Sequence, residues 1–151
     1  MKEDSMNTIT DFLTPDHQRC DTFFADAESA AANGNWGEAT LLYNSFVDAT
    51  LHHFAMEEEV LFPAFDKRTG MLLGPTDTMR MEHRQMNDLM SQMTDAVQQH
   101  DKNTFLGLSE TLLMIMQQHN LKEEQMLYRM ADQMLCDDSS NVVDNMKKLA
   151  A

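Results

Sequence analysis

His53 and Glu57 stand four residues apart, and so do His119 and Glu123. Residues at i and i+4 share one face of an α-helix, about a turn apart. An imidazole nitrogen and a carboxylate oxygen placed this way point at one spot, as two donors to a cation would. Two more histidines, His17 and His83, complete a duplication. The stretch from His53 to Asp66 lines up with that from His119 to Asp132 at an offset of 66 residues, and His17 maps onto His83 at the same offset. Each half of the chain therefore reads His-x35-His-x3-Glu.

Bringing these groups together takes four helices. Thr14-Pro15-Asp16 has the form of a helix start, with Thr14 as N-cap and Pro15 in the first helical position. Helix 1 is then predicted to run to about Ala32, before Asn33-Gly34. Asn35 with Glu38 resembles a capping box and opens helix 2. The inward stripe of helix 2 reads Ala39, Leu42, Phe46, Ala49, His53, Glu57, Val60, Ala64, and Pro63 should bend or end it. Gly70 to Pro75 is a loop. Helix 3 starts near Thr76 with the stripe Met79, His83, Met86, Met90, Met93, Val97. Asp101 or Asn103 caps helix 4, whose stripe reads Leu108, Leu112, Ile115, His119, Glu123, Met126, Met130, Met134. A short helix from about Ser140 to Leu149 follows.

No segment alternates with period two for long, so no sheet is expected. The fold class is all-α: an antiparallel up-down four-helix bundle with a short extra C-terminal helix. Residues 1–13 form an N-terminal arm, 14–136 the bundle, and 137–151 the short helix or tail. Counted from the turn near Asn33-Gly34, His17 lies about 17 residues back and His53 about 19 forward, so at ~1.5 Å per residue both reach nearly the same height. Two such hairpins, related by a pseudo-two-fold, bring four histidines and two carboxylates to one level.

Burying six polar groups without a cation costs about 1–3 kcal/mol for each unsatisfied one. The expected metal donors are therefore His17, His53, Glu57, His83, His119 and Glu123. Imidazoles and carboxylates without paired thiolates fit iron or manganese better than structural zinc. Two carboxylates shared by two similar halves make Glu57 and Glu123 the expected bridges between two ions. The Glu-x-x-His order of ferritin-like di-iron bundles is absent.

The net charge of −14 repels nucleic-acid phosphates and anionic membrane surfaces. No apolar run is long enough to span a bilayer. No nucleic acid or membrane is therefore expected as a partner. The first seven residues lack the apolar core and basic flank of a signal peptide. Cys20 and Cys136 are the only cysteines, too few for a disulfide framework, so a cytoplasmic location is expected.

The stretch from His53-Phe54 through Glu57-Glu58-Glu59 to Leu61-Phe62-Pro63, echoed by Glu123-Glu124 and Leu127-Tyr128, resembles the hemerythrin-like, or HHE cation-binding, domain family. The resemblance covers about Thr14 to Leu135. It implies an up-down four-helix bundle with two iron ions bridged by an oxo or hydroxo group. His17 and His53 would hold one iron, His83 and His119 the other, with Glu57 and Glu123 bridging. The oxygen-carrying hemerythrins have a fifth histidine four residues from the one on helix 3, where this chain has Met79 and Asn87. Two histidines, two carboxylate oxygens and one bridging oxygen then leave one position open on each iron, unless Glu58, Glu124 or Asn87 fills it. The function implied is handling of a small diatomic or peroxide ligand (oxygen, nitric oxide, hydrogen peroxide) as sensor, scavenger or oxidoreductase. Iron storage or donation, including iron–sulfur cluster repair, is the alternative, and reversible oxygen binding the second.

His52 and His100 have no counterpart at the 66-residue offset and read as surface residues. Cys20 reads as a small buried hydrophobe that could line the site. Tyr43 and Tyr128 could donate a hydrogen bond near the centre. Trp36 reads as packing, and the fifteen methionines as adaptable core filler.

Overall fold

The computed structural model describes residues 8–71 and 74–149. Every regular element among them is helical. Helix α1 spans Ile9–Ala32. Helix α2 is composite: α-helical Trp36–Met56, a π-helical turn Glu57–Leu61, and α-helical Phe62–Thr69. Helix α3 spans Pro75–Gln98. Helix α4 repeats the build of α2, with Lys102–Lys122, a π-helical turn Glu123–Leu127, and Tyr128–Met134. Helix α5 spans Ser139–Lys147 and buries Val142, Val143 and Met146 against the lower end of the bundle. This is the expected all-α bundle with a short terminal helix.

Local chemistry explains most boundaries. Gly34 takes φ 74°, the left-handed value that lets the chain reverse between α1 and α2. Asn35 caps α2 by accepting from the Glu38 N–H, while its own amide donates to the Glu38 carboxylate. Asp101 caps α4 by accepting from Thr104 N–H.

The start of α1 is not at Thr14-Pro15 as the sequence predicts. It begins at Ile9, with Thr8 as N-cap accepting from Asp11 N–H, and Pro15 lies inside the helix. Tertiary contacts override the proline signal. Ile9 and Leu13 are fully buried, and Asp132 on α4 accepts from the N–H of Ile9 at 2.7 Å and from the Thr10 hydroxyl at 2.6 Å. Residues 1–7 of the expected arm lie outside the described residues.

The stripes of α2 and α4 hold as far as the glutamates and then slip. Val60 and Ala64 were expected inside, yet Leu61, Phe62 and Phe65 are the fully buried residues. In α4, Met126 is 58% exposed and Leu127, Tyr128 and Ala131 are buried instead. A π turn carries one extra residue, so the inward face moves on by one position. The upper stripe of α4 also runs through Phe105, Ser109 and Met116 rather than Leu108 and Ile115. Pro63 neither ends α2 nor explains its π turn, because Arg129 stands at the matching position of α4 and the same turn forms there.

Two apolar clusters fill the interior. One surrounds Phe24, Phe46, Met90 and Phe105; the other surrounds Leu13, Phe65, Leu127 and Val143. The polar residues of the site fall between them. The methionines divide: Met56, Met79, Met86, Met90, Met93, Met116 and Met146 are core, whereas Met81, Met114 and Met126 are exposed.

Candidate metal centre

All six expected residues converge. His17, His53, Glu57 and Glu123 form one group with a donor atom from each lying within 4.8 Å of the others, and Glu57, His83, His119 and Glu123 form a second. None of the six is more than 4% exposed. His53 and Glu57 sit on α2 just before and at its π turn, and His119 and Glu123 repeat this on α4. His17 and His83 project from the middle of α1 and α3.

The carboxylates lie between the two groups. Glu57 Oε2 is 3.3 Å from His53 Nε2, and Glu57 Oε1 is 3.0 Å from His83 Nε2. Glu123 Oε1 is 3.0 Å from His17 Nε2, and Glu123 Oε2 is 3.3 Å from His119 Nε2. Each glutamate thus offers one oxygen to each half. Glu57 Oε1, His83 Nε2, His119 Nε2 and Glu123 Oε2 are buried without a hydrogen-bond partner, despite distances that suit ion pairs. All four belong to residues of the second group. Such orphaned atoms are costly unless a cation satisfies them, so the donor set fits a metal.

The other nitrogen of each histidine is also held. His17 Nδ1 meets Glu124 Oε2 at 2.8 Å and His83 Nδ1 meets Glu58 Oε2 at 2.6 Å. His53 Nδ1 meets Asp16 Oδ2 at 2.8 Å and His119 Nδ1 meets Glu82 Oε1 at 2.7 Å. An Nδ1–H donating to a carboxylate fixes the tautomer and leaves the Nε2 lone pair for a cation. Glu58 and Glu124 are therefore not extra members of the inner groups, and Asn87 lines a surface pocket beside His83. Asp16 and Glu82 were missed in the sequence. The signal was there: they too differ by 66 residues, as do Glu58 and Glu124.

Tyr128 also enters the site. Its hydroxyl donates to Glu57 Oε2 at 2.6 Å, and burial together with the Glu123 and Glu57 carboxylates pushes its pKa well above the usual tyrosine value. Tyr43 is elsewhere, donating to the Met90 carbonyl. Cys20 is buried, and burial raises its thiol pKa. With Thr50, Met86 and Met116 it lines a cavity of about 20 Å³ beside His17 and His53. His52 is half-buried rather than on the surface, with Nε2 3.3 Å from the Leu149 carbonyl. His100 is exposed and stacks on Trp36.

Charge within the site is balanced by proximity. Burial opposes the imidazolium of His53, but Glu57 and Asp16 outweigh it and hold its pKa well above the usual value. The same contest, with Glu123, Glu57 and Glu82 as the anions, pushes His119 up to about 9. Burial opposes ionisation of Glu57, yet His53 and His83 hold its carboxyl well below the usual range. Among the described residues, no helix is long and apolar enough to cross a membrane.

A comparison with curated proteins finds no match, and a comparison with solved structures finds none. Residues 8–131, which carry all six converging side chains, match the hemerythrin family, described as the hemerythrin HHE cation binding domain, and the chain belongs to that family.

Proposed function

We propose that this cation-binding domain is a non-haem di-iron protein. His17 and His53 hold one iron, His83 and His119 the other, and Glu57 and Glu123 bridge them. The observation that carries this reading is the split of each carboxylate: Glu57 turns one oxygen to His53 and the other to His83, and Glu123 does the same for His119 and His17. A single zinc would need only four of these donors and no such division. Imidazole and carboxylate donors favour iron or manganese over soft-metal chemistry.

When bound, a pair of irons supplies redox electrons and coordination positions for a small exogenous ligand. The chain's part is to hold eight donor atoms in place, exclude bulk water between two apolar clusters, and limit what reaches the centre. The cavity beside His17 and His53, about 20 Å³, has room for a water-sized or diatomic molecule and not for an organic substrate. Thr50 Oγ1 is buried at this cavity beside the Cys20 thiol, a polar group on an otherwise largely apolar wall. The reading is therefore a sensor, scavenger or oxidoreductase for oxygen, nitric oxide or peroxide. Storage or donation of iron is less supported, because the donors are almost wholly buried.

Anaerobic titration of metal-free protein with ferrous iron tests the assignment. Two ions per chain, followed by spectral changes on adding oxygen, nitric oxide or peroxide, are expected. Saturation at one ion, or a spectrum that no small ligand alters, would refute it.

A further inference from the structure

At one pair of matching positions the two halves of the centre differ by a single oxygen atom. At the 66-residue offset, Tyr128 matches Phe62. Both are fully buried. The Tyr128 ring lies 5.6 Å from that of His17 with planes 21° apart, and the Phe62 ring lies 5.8 Å from that of His83 with planes 22° apart. The rings therefore occupy equivalent places, and only the first carries a hydroxyl.

That hydroxyl touches every donor of its half. It lies 3.2 Å from His17 Nε2, 3.2 Å from His53 Nε2, 2.6 Å from Glu57 Oε2 and 3.1 Å from Glu123 Oε1. Around an octahedral ion with nitrogen and oxygen donors at about 2.1 Å, neighbouring donors stand about 3.0 Å apart. Each vertex of an octahedron has four such neighbours. An atom about 3 Å from four donors at once is thus placed as a further vertex of the same set. The separations of 3.0 Å for His17–Glu123 and 3.3 Å for His53–Glu57 fit edges of that octahedron. In the other half Phe62 brings no donor, and the four facing atoms there have no hydrogen-bond partner.

Building on the di-iron reading, we propose that the Tyr128 phenol oxygen is a fifth protein donor to the ion held by His17 and His53, so that the two ions are inequivalent. The O–H bond breaks heterolytically as the oxygen binds, its proton leaves to solvent, and no electron is transferred. Counting protein donors alone, one vertex then remains on the His17 side and two on the His83 side. The asymmetry that a fifth histidine gives the oxygen carriers arises here in the opposite half, from a tyrosine.

The test uses the full chain, loaded without oxygen with two equivalents of ferrous iron and then oxidised by dioxygen. Tyrosinate bound to ferric iron gives an intense visible charge-transfer band and resonance-enhanced ring vibrations. Both are expected in the wild type. Both should vanish in Tyr128→Phe with two irons still bound, because the substitution only copies the arrangement already present at Phe62. A wild-type spectrum without tyrosine vibrations, or a Tyr128→Phe spectrum that keeps them, overturns the proposal. Two bound irons without those vibrations overturn it alone, whereas a protein that binds no iron overturns it together with the proposed function.

Discussion

Glu58 Oε2 lies 2.6 Å from His83 Nδ1, so the residue next to one expected bridging carboxylate orients a histidine from another helix. Asp16, next to His17, does the same for His53. Each of these two histidines thus depends on the chain neighbour of another inner residue. Replacing either acid by alanine frees a ring nitrogen and weakens the facing histidine, and such outer partners are worth about 10–100-fold in metal affinity. Asp16→Ala should fall at the upper end, because the Asp16 side chain is 15% exposed against 41% for Glu58. Calorimetric titration should show one of two binding steps weakened. Unchanged affinity in both variants would sink the orienting role.

Metal stoichiometry separates terminal from bridging donors. His53→Ala should leave about one tightly bound ion per chain, since it strips only one half. Glu57→Leu should leave neither ion tightly bound, because Glu57 gives an oxygen to both halves. Elemental analysis after gel filtration, with helical circular dichroism to confirm folding, reads the difference. A Glu57→Leu protein that still retains one tight ion would argue against bridging.

The sequence made the six inner residues legible because a repeated spacing survives translation into three dimensions: equal offsets on equal hairpins reach equal heights. It showed the partners of Nδ1 only as a matching offset, because Asp16 reaches His53 only through the relative rotation of α1 and α2, which residue counting does not fix. It hid the slip after Glu57 and Glu123 for another reason. A projection at 3.6 residues per turn has no mark for the extra residue of a π turn, so Val60 and Met126 seemed inward where Leu61 and Leu127 are. The early start of α1 was masked by Pro15, a local signal that buried Ile9 and Leu13 outweigh.

Protons and cations compete for the same nitrogens. His119 stands at about 9 in the folded, metal-free protein, and a histidine in an unfolded chain at about 6.5. Its folded pKa is the higher one, so its stabilising contribution is full below about 6.5 and is lost as pH rises through about 9. His53 acts in the same direction. In the presence of a chelator, the unfolding free energy should therefore fall between about pH 7 and about pH 9.5, by on the order of 3 kcal/mol for His119. Metal affinity should rise over the same window, about tenfold per pH unit for each proton displaced. Denaturant titrations at several pH values, with and without metal, check both signs. A chelated protein that grows more stable across this window would contradict the argument.

The π turns make a prediction about chain length. Glu59 is exposed and lies inside the π turn of α2, whereas Asp48 is exposed and lies in regular α-helix. Deleting Glu59 removes the extra residue, so the turn can close as ordinary α-helix while His53 above it and Phe65 below it keep their inward places. Deleting Asp48 offers no such absorption: it rotates Ala39, Tyr43 and Phe46 by about 100° relative to His53. Those residues are buried, and exposing them costs several kcal/mol, at about 1.5–3 kcal/mol for each large side chain. The Glu59 deletion should therefore remain folded, with a thermal midpoint within about 10 °C of the parent, and the Asp48 deletion should not fold, since a few kcal/mol is much of a domain's stability. Metal binding by the Glu59 deletion should weaken, because the Glu57 carboxylate is aimed by the turn that has been removed. Circular dichroism melts of the two deletions decide the matter: equal loss of structure in both would show that the π turn is required for the fold itself.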